Sequence, residues 1–372
     1  MQKKLIAVAV LGACVAGSAL AANVDVYGRI DTGLSYVHQK IGDQAGTDTF
    51  SMDSGMSSGN RWGLKGSEDL GNGYQVGFVL ESGFSSDTGK MSKDVLFNRE
   101  ATLRVSGPFG SIYAGRMGRI GSDAGSVGFY AGSVSPFGSG WGEMPGHFAV
   151  TANYDTRYSN ALAYVSPKVG PVTVYAQYTM GNATENESGD DRLFSLGAQA
   201  DFGALQVLGL VEYLNKQSTV ASTNGAPNVT HNDSQYDDSY TINLGGSYDF
   251  GVAKVFLAGQ YFNAAPNFAG QGDNWEKSFD GFGVNVGASA PIGAGEFLVS
   301  AGYGKGDYHF DTKDTNLSAD SYIFQVGYTY PFSKRTNLYA GAGYHQTTME
   351  EEASKDSKTK TTQVMFGLLH KF

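Results

Sequence analysis

The last ten residues, from Gln363 to Phe372, read QVMFGLLHKF and alternate between two kinds of side chain. One parity holds Val364, Phe366, Leu368, His370 and Phe372. A period of two is typical of a β-strand whose two faces meet different environments. Chain ends of soluble domains are usually frayed and polar, whereas a closed barrel needs an ordered last strand to pair with its first. The segment therefore predicts the closing strand of a transmembrane β-barrel.

The amino-terminal segment, residues 1–21, has the features of a secretory signal peptide. Two lysines precede an apolar run from Leu5 to Leu11, and small residues follow as far as an Ala-Leu-Ala cleavage motif that ends at Ala21. The apolar run is shorter than the roughly 20 residues that a helix needs to cross a bilayer. We therefore expect an exported protein with a mature chain of residues 22–372.

Cys14 is the only cysteine, and it lies inside this predicted signal peptide. It ends the sequence Leu-Gly-Ala-Cys, which resembles a lipoprotein acylation motif, so lipidation is an alternative to cleavage after Ala21. With cleavage, the mature chain has no cysteine for a disulfide, a thiolate metal site or a nucleophile. Residues 1–21 hold two lysines and no acid, so removing them changes the formal net charge from −10 to −12. Such an acidic chain is a poor partner for nucleic acid.

The composition favours transmembrane strands over transmembrane helices. Glycine accounts for 52 of 372 residues, about twice its average share of roughly 7%. Tyrosine and phenylalanine contribute 22 residues each, yet the chain has no apolar segment of about 18 residues. Strands with an apolar lipid face and a polar lumen face have this kind of composition.

Alternating segments recur along the whole chain and predict sixteen strands. Short turns such as Gly71-Asn72-Gly73 alternate with long polar connections, at about 38–59, 118–152, 215–237, 264–279 and 348–359. Short turns at one end and long loops at the other are typical of outer-membrane barrels. We therefore predict an all-β fold: a 16-stranded antiparallel transmembrane β-barrel with short periplasmic turns and long extracellular loops. A barrel of this size encloses an aqueous lumen.

Three stretches carry a family resemblance: Val26-Tyr27-Gly28-Arg29-Ile30-Asp31, Arg61-Trp62-Gly63-Leu64-Lys65-Gly66-Ser67-Glu68-Asp69-Leu70-Gly71 and His370-Lys371-Phe372. They resemble the general, non-specific porins of Gram-negative bacteria, in particular the betaproteobacterial type. The resemblance implies a homotrimer in the outer membrane, with one pore per subunit for passive diffusion of small hydrophilic solutes and ions. Outer-membrane lipid and lipopolysaccharide would surround it. The resemblance also implies an assembly signal for the outer-membrane assembly machinery, formed by Phe366, Leu368, His370 and Phe372.

In the porin family the third loop folds into the barrel and narrows it. The matching connection here is about 118–152, and it contains Val134-Ser135-Pro136-Phe137-Gly138. This segment is similar to a family motif, Pro-Glu-Phe-Gly-Gly, but it lacks the glutamate. Asp123 and Glu143 are the acids of the loop, so they are the candidates for its acidic side.

The basic side of the constriction follows from strand parity. Four basic residues share the polar, lumen-facing parity of their strands: Arg29, Arg61, Lys65 and Arg157. A charge on the lipid face near the midplane costs about 2–4 kcal/mol, so these side chains should point into water. A basic wall facing an acidic loop creates a transverse field that orients polar solutes. Alternatively, these arginines are simply solvated, or they pair with Glu81 or Glu100 as part of the wall.

Two further arginines, Arg99 and Arg116, fall on the apolar parity. We therefore predict that they lie near strand ends or at a subunit contact. Ion selectivity stays open at this stage, because the basic wall favours anions and the acidic loops favour cations.

No catalytic constellation stands out, and no metal site or cofactor is expected. The six histidines are scattered without ligand spacing. Gly83 to Met91 lacks the spacing and the Ser/Thr of a phosphate-binding loop. The predicted function is therefore an outer-membrane diffusion channel rather than an enzyme. A substrate-selective porin and an adhesin or receptor barrel are the alternatives.

Overall fold

The fold is described from a computed structural model that covers residues 23–143, 146–152, 154–180, 192–215, 219–220, 229–230, 238–268, 278–309, 317–351 and 356–372. The predicted signal peptide, residues 1–21, lies outside these described residues. In the described part of the chain, no helix is long and apolar enough to span a membrane.

Strands dominate the structure, and their bounds are as follows. They are β1 (Asn23–Ile41), β2 (Thr47–Ser54), β3 (Arg61–Gly71), β4 (Tyr74–Gly83), β5 (Glu100–Gly107), β6 (Gly110–Gly118), β7 (Arg157–Val165), β8 (Val172–Thr179), β9 (Leu193–Phe202), β10 (Leu205–Leu214), β11 (Thr219–Val220), β12 (Val229–Thr230), β13 (Ser239–Asp249), β14 (Lys254–Ala265), β15 (Ser278–Ile292), β16 (Gly295–His309), β17 (Leu317–Pro331), β18 (Thr336–Glu351) and β19 (Ser357–Lys371). Strands β11 and β12 pair only with each other, and the rest form one sheet.

The sheet closes on itself, as the last ten residues predicted. Strand β1 pairs antiparallel with β19, in a register that runs from Arg29 opposite Lys371 to Ile41 opposite Thr359. The backbone of Phe372 continues this pairing, because its N–H and C=O both bond to Gly28 at 3.1 Å. Closure pairs the first and last strands of the sheet, whose backbone groups would otherwise be unpaired in lipid.

The barrel has the predicted sixteen staves, although the sheet contains seventeen strands. The difference arises because β2 and β3 lie end to end beside β1 and together occupy one of the sixteen strand positions, or staves, of the barrel. Strand β1 pairs with β3 over Asn23–Arg29 and with β2 over Thr32–Gln39. Residues 55–60 connect the two half-staves, and several of them line the lumen.

The prediction of one long connection at 38–59 is therefore wrong. Strand β1 continues to Ile41, and β2 returns along it. The stretch 47–54 looks like a loop because Phe50 and Met52 are its only large apolar residues. Both are exposed on the outer face, opposite Tyr36 and Leu34 of β1.

The two faces of the wall differ as the alternation predicted. On β14, for example, Leu257 is 61% exposed on the outside, whereas Phe256 and Ala258 are buried on the inside. Two-residue turns such as 72–73, 203–204 and 293–294 connect strands at one end, and the longer connections lie at the other.

The buried core lies inside the lumen, in the connection between β6 and β7. This segment, residues 119–156, is called loop 3 below. It contains a one-turn helix, Ala131–Val134, and a short 3-10 helix, Gly146–Ala149. Its apolar side chains pack against the inner wall in clusters that include Ile120, Val127 and Val134. Loop 3 therefore fills one side of the lumen.

Candidate pore constriction

Loop 3 begins with a buried ion pair to the opposite wall. The Arg119 guanidinium contacts the Glu212 carboxylate of β10, and the side chains are 4% and 1% exposed. Gln177 of β8 adds two hydrogen bonds, since its amide accepts from Ile120 N–H at 3.1 Å and donates to Gly118 C=O at 2.9 Å. Removing one partner of a buried pair costs about 3–5 kcal/mol. These contacts hold the start of the loop against the wall.

Its other end is held in the same way by β14. The Gln260 side chain accepts from the Ala152 N–H at 2.7 Å and donates to the Ala152 C=O at 3.1 Å. Between these anchors, the middle of loop 3 reaches residues 55–60. Trp141 N–H and Gly142 N–H donate to the Met56 C=O at 2.6 and 3.0 Å. Loop 3 therefore crosses the lumen and leaves an open passage on the side of β1, β3 and β7.

A cavity of about 820 Å³ occupies this passage. Four arginines line it, namely Arg29, Arg61, Arg99 and Arg157. The acids Asp123 and Glu143 of loop 3 line it as well, together with Asp53 of β2 and Asp87 of the connection between β4 and β5. The passage thus combines a cluster of guanidinium groups with carboxylates of loop 3.

The arginines are held by polar contacts rather than by apolar packing. Arg29 Nη1 donates to Ser58 Oγ at 2.6 Å, and Arg61 Nε donates to the Gly59 C=O at 3.0 Å. Arg99 Nε donates to Glu81 Oε1 at 2.7 Å, and the same oxygen lies 3.8 Å from Arg61 Nη1. One carboxylate therefore balances part of the charge of two arginines. The arginines with Glu81 keep a net positive charge, whereas the other acids that line the cavity equal the arginines in number.

Asp31 of β1 positions the segment 55–60. Its carboxylate is fully buried and accepts from Ser57 N–H at 2.9 Å, from Ser58 N–H at 2.7 Å and from Tyr339 O–H at 2.5 Å. Because Ser58 in turn accepts the hydrogen bond from Arg29, Asp31 sets the position of that guanidinium indirectly. Asp31 shares the polar, lumen-facing parity of Arg29 in β1, but no local sequence pattern predicts its role at residues 55–60.

The two predicted acids differ in their contacts. Asp123 accepts from Ser139 N–H at 3.0 Å and from the Ser139 hydroxyl, so it braces a turn of loop 3. The Glu143 backbone N–H donates to Gln363 Oε1 of β19 at 2.9 Å. Glu143 itself is exposed at the cavity.

Lys65, the fourth predicted basic residue, is not in this cavity. It lines a second cavity on the same wall, with Asp25 and Arg104. Conversely, Arg99 lines the main cavity, although it falls on the apolar parity of the sequence. Strand β5 begins only at Glu100, so Arg99 precedes the regular alternation and turns inward near the strand end.

His147 is buried in loop 3, in the 3-10 helix. Its ring lies 6.2 Å from the Tyr130 ring and 4.3 Å from the Phe148 ring, between centroids. Burial lowers the pKa of His147 to about 4, against the opposing effect of the Asp123 charge. The imidazole is therefore neutral at neutral pH.

Comparison with known proteins agrees with this architecture. A family model described as Gram-negative porin matches residues 7–349. The chain belongs to the Gram-negative porin family. It is 34% identical to an outer membrane porin protein of Bordetella pertussis, with 100% of both chains covered. It is 30% identical to outer membrane porin protein 32 of Delftia acidovorans, over 92% of this chain and 89% of that protein.

A solved structure gives the same result for the porin fold. The anion-selective porin from Comamonas acidovorans matches with a TM-score of 0.67 at 25% identity, over 95% of this chain and 100% of that one. The porin is thus an outer-membrane channel for passive diffusion of small hydrophilic solutes, as the sequence predicted. Its family supports a channel rather than an enzyme.

Proposed function

We propose that the cavity beside loop 3 is the constriction of an anion-preferring diffusion pore. The observation that carries this proposal is the group of four arginines, Arg29, Arg61, Arg99 and Arg157, at one cavity. Four carboxylates, those of Asp53, Asp87, Asp123 and Glu143, line the same cavity, and Asp123 is held by hydrogen bonds from Ser139. The anion selectivity of the Comamonas acidovorans protein, to which this porin is similar, supports the same direction.

Selectivity in this pore arises from the field across the constriction. Permeant ions pass between fixed guanidinium groups and fixed carboxylates, in a lumen whose low-dielectric walls concentrate the field. Polar solutes orient in that field, whereas apolar solutes lose water without gaining compensating contacts. Lys65 then lies in the part of the channel between the constriction and the short-turn end of the barrel, rather than in the constriction itself.

We also propose that the subunits form a homotrimer. The support lies in β2, which pairs along one edge with β1 and has no second strand partner among the described residues. Its outer face carries Phe50 and Met52, which are 72% and 61% exposed. An unpaired strand edge with apolar side chains is poorly solvated in lipid and prone to association. A second copy of the chain would cover this surface.

The remaining partners belong to the same proposal. Lipopolysaccharide and outer-membrane lipid would surround the apolar outer wall. The assembly machinery would recognise the last strand through Phe366, Leu368, His370 and Phe372. On the outward parity, Phe366 and Phe372 are 53% and 47% exposed, which makes them accessible for such recognition.

Recording in a planar bilayer tests the proposed channel and its oligomeric state. Purified folded protein should give ohmic conductance that appears and closes in groups of three equal steps. Single independent steps would contradict the trimer. A complete lack of conductance from protein shown to be folded by heat-modifiable gel mobility would contradict the pore.

A further inference from the structure

The second cavity lies on the periplasmic side of the constriction and encloses about 570 Å³. Its lining includes Asp25, Lys65, Thr102, Arg104 and Tyr113 from the wall, with Ser126 of loop 3. The short turn 72–73 connects the strands at this end, which places the cavity in the half of the barrel that faces the periplasm.

Strand register brings its two basic residues to the same face of the wall. Lys65 of β3 lies opposite Val79 of β4, and Val79 lies opposite Thr102 of β5. Arg104 follows two residues after Thr102, so it shares the lumen face with Lys65. Only β4 separates the two basic residues.

Gly77 of β4 opens the space between them. It lies opposite Arg104 in the sheet, and a Cβ atom added to Gly77 would stand 3.5 Å from Arg104 Nη2. The guanidinium therefore lies over the glycine, toward the strand that carries Lys65. A larger residue at position 77 would occupy the place where Arg104 now lies.

The charges of both residues are available to a solute. In the described part of the chain, neither Lys65 nor Arg104 has a carboxylate oxygen within 4.0 Å. Lys65 Nζ lies 5.3 Å from the centroid of the Tyr27 ring. The acid that lines the cavity is Asp25, which lies opposite Lys65 in the pairing of β1 with β3. Glu100, close by, is buried and accepts hydrogen bonds from Thr102 at 2.9 Å and from Ser126 at 2.5 Å.

We propose that Lys65 and Arg104 form an anion-binding site for small oxyanions with two negative charges, such as hydrogen phosphate. A guanidinium can present two parallel N–H donors to such an oxyanion, and an ammonium adds a mobile point charge. Tyr113, which lies opposite Arg104 in the sheet, also lines the cavity. This inference rests on the proposed anion-preferring pore and adds a second anion-binding site to it, between the constriction and the periplasm.

The site should make the channel respond differently to anions from its two sides. Phosphate added at the periplasmic side reaches Lys65 and Arg104 without crossing the constriction. Phosphate added at the loop side has to pass the four arginines first. While it stays bound, a divalent oxyanion occupies the route and reduces the chloride current.

The experiment measures chloride conductance of oriented channels in a planar bilayer at pH 8, with sodium phosphate added to one side at constant ionic strength. The test variant is Lys65→Gln/Arg104→Gln. The matched control is Lys334→Gln/Arg335→Gln, which removes the same charge from an exposed turn at the same end. Insertion and trimer mobility are checked for all three proteins.

In the unmodified porin, phosphate from the periplasmic side should lower the chloride current at smaller concentrations than phosphate from the loop side. The test variant, which lacks both charges, should raise the half-blocking concentration by about tenfold, or about 1.4 kcal/mol of binding free energy. The control should leave it unchanged. Equal block in the test variant and the unmodified porin would overturn the site.

Failure of the site can be separated from failure of the proposed pore. If phosphate bound at the constriction alone, Arg61→Ala would weaken the block and Lys65→Gln/Arg104→Gln would leave it unchanged. That result would overturn this inference and leave the anion-preferring pore intact. A cation-preferring reversal potential in the unmodified porin would instead contradict the proposed pore.

Discussion

Arg61 lies between the Gly59 carbonyl oxygen, at 3.0 Å, and the Glu81 carboxylate, at 3.8 Å. Its guanidinium is thus fixed at the edge of the constriction. We expect Arg61→Ala to lower the chloride-to-potassium permeability ratio about threefold, because one charge acts on an ion at ~6 Å in water with about 0.7 kcal/mol. The reversal potential in a potassium chloride gradient measures this ratio. Arg335→Ala, in an exposed turn, is the control, and an unchanged ratio for Arg61→Ala would remove that residue from the constriction.

A substitution at Asp31 tests whether Arg29 is positioned through the contacts of Asp31 with Ser57 and Ser58. Asp31→Asn keeps the size of the side chain but replaces the charged carboxylate with a neutral amide, whose single oxygen accepts weaker hydrogen bonds from the N–H groups of Ser57 and Ser58. Hydrogen bonds to charged groups contribute about 1.5–3 kcal/mol and neutral ones about 0.5–1.5 kcal/mol, so we expect residues 55–60 to move and open-channel current noise to rise. Single-channel recording measures this noise. The control is Asp201→Asn, at an exposed pair with Lys168, which should show the current noise of the unmodified porin. The same low noise in Asp31→Asn would mean that other contacts hold residues 55–60.

Sequence parity is enough to place a side chain only where the strand is regular. Arg29, Arg61 and Arg157 lie on the lumen parity and line the cavity. Arg99 could not be placed in this way, since it lies before the first paired residue of β5. The roles of Asp31 and Ser58 depend on a contact between distant parts of the chain, Tyr339 with Asp31, which no local pattern reveals.

At the scale of elements, loop 3 depends on buried polar contacts that respond to pH. The imidazole of His147 is neutral because burial lowers its pKa to about 4, whereas an exposed histidine titrates near about 6.5. A loop that leaves the wall binds a proton below about 6.5, and the docked loop does so only below about 4. Docking is therefore most stable above pH 6.5 and weakens as the pH falls toward 4, by up to about 3 kcal/mol.

Amide hydrogen exchange, expressed as protection factors at pH 7.5 and 4.5, measures this effect. We expect residues 119–156 to lose protection at pH 4.5 while the wall strands keep it. In His147→Phe, which has no titrating group there, the loss should be much smaller. Equal protection of loop 3 at both pH values in the unmodified porin would contradict this account. The control is His38→Phe, at an exposed histidine, which should lose protection in loop 3 at pH 4.5 as the unmodified porin does.

The second stave shows where the sequence was insufficient for an element. Strand β2 has two large apolar residues, Phe50 and Met52, among polar ones, so its composition matched a loop. Its strand conformation depends on pairing with the extended end of β1. Loop 3, by contrast, could be located from its length and family resemblance, although its anchors Glu212, Gln177 and Gln260 lie far away in the sequence.

At the scale of the whole molecule, closure of the barrel depends on the last strand. The ring of Phe372 lies against Gly28, where an added Cβ atom would stand 2.4 Å from the ring. Deleting Phe372 removes this contact and two backbone hydrogen bonds. We expect a severalfold lower yield of inserted porin, with normal conductance in the molecules that insert. Phe332→Ala, an exposed aromatic at the same end, is the control for loss of a ring alone.

Equal insertion of the shortened chain and the full-length porin would contradict that role of Phe372. Closure itself could be predicted from the sequence, because the alternation of the last strand has to match that of the first where the two strands pair. The sixteen staves followed from the same alternation. The division of one strand position between β2 and β3 could not be predicted in this way, since it requires residues 55–60 to leave the wall and face the lumen.

The central claim is that the arginines at the constriction make this porin prefer anions. It is tested most directly by the reversal potential of the unmodified porin in a bilayer between concentrated and dilute potassium chloride at neutral pH. The account predicts a potential with the sign of preferential chloride movement, which Arg29→Ala/Arg61→Ala shifts toward zero or reverses. A potential with the sign of preferential potassium movement in the unmodified porin would contradict the claim.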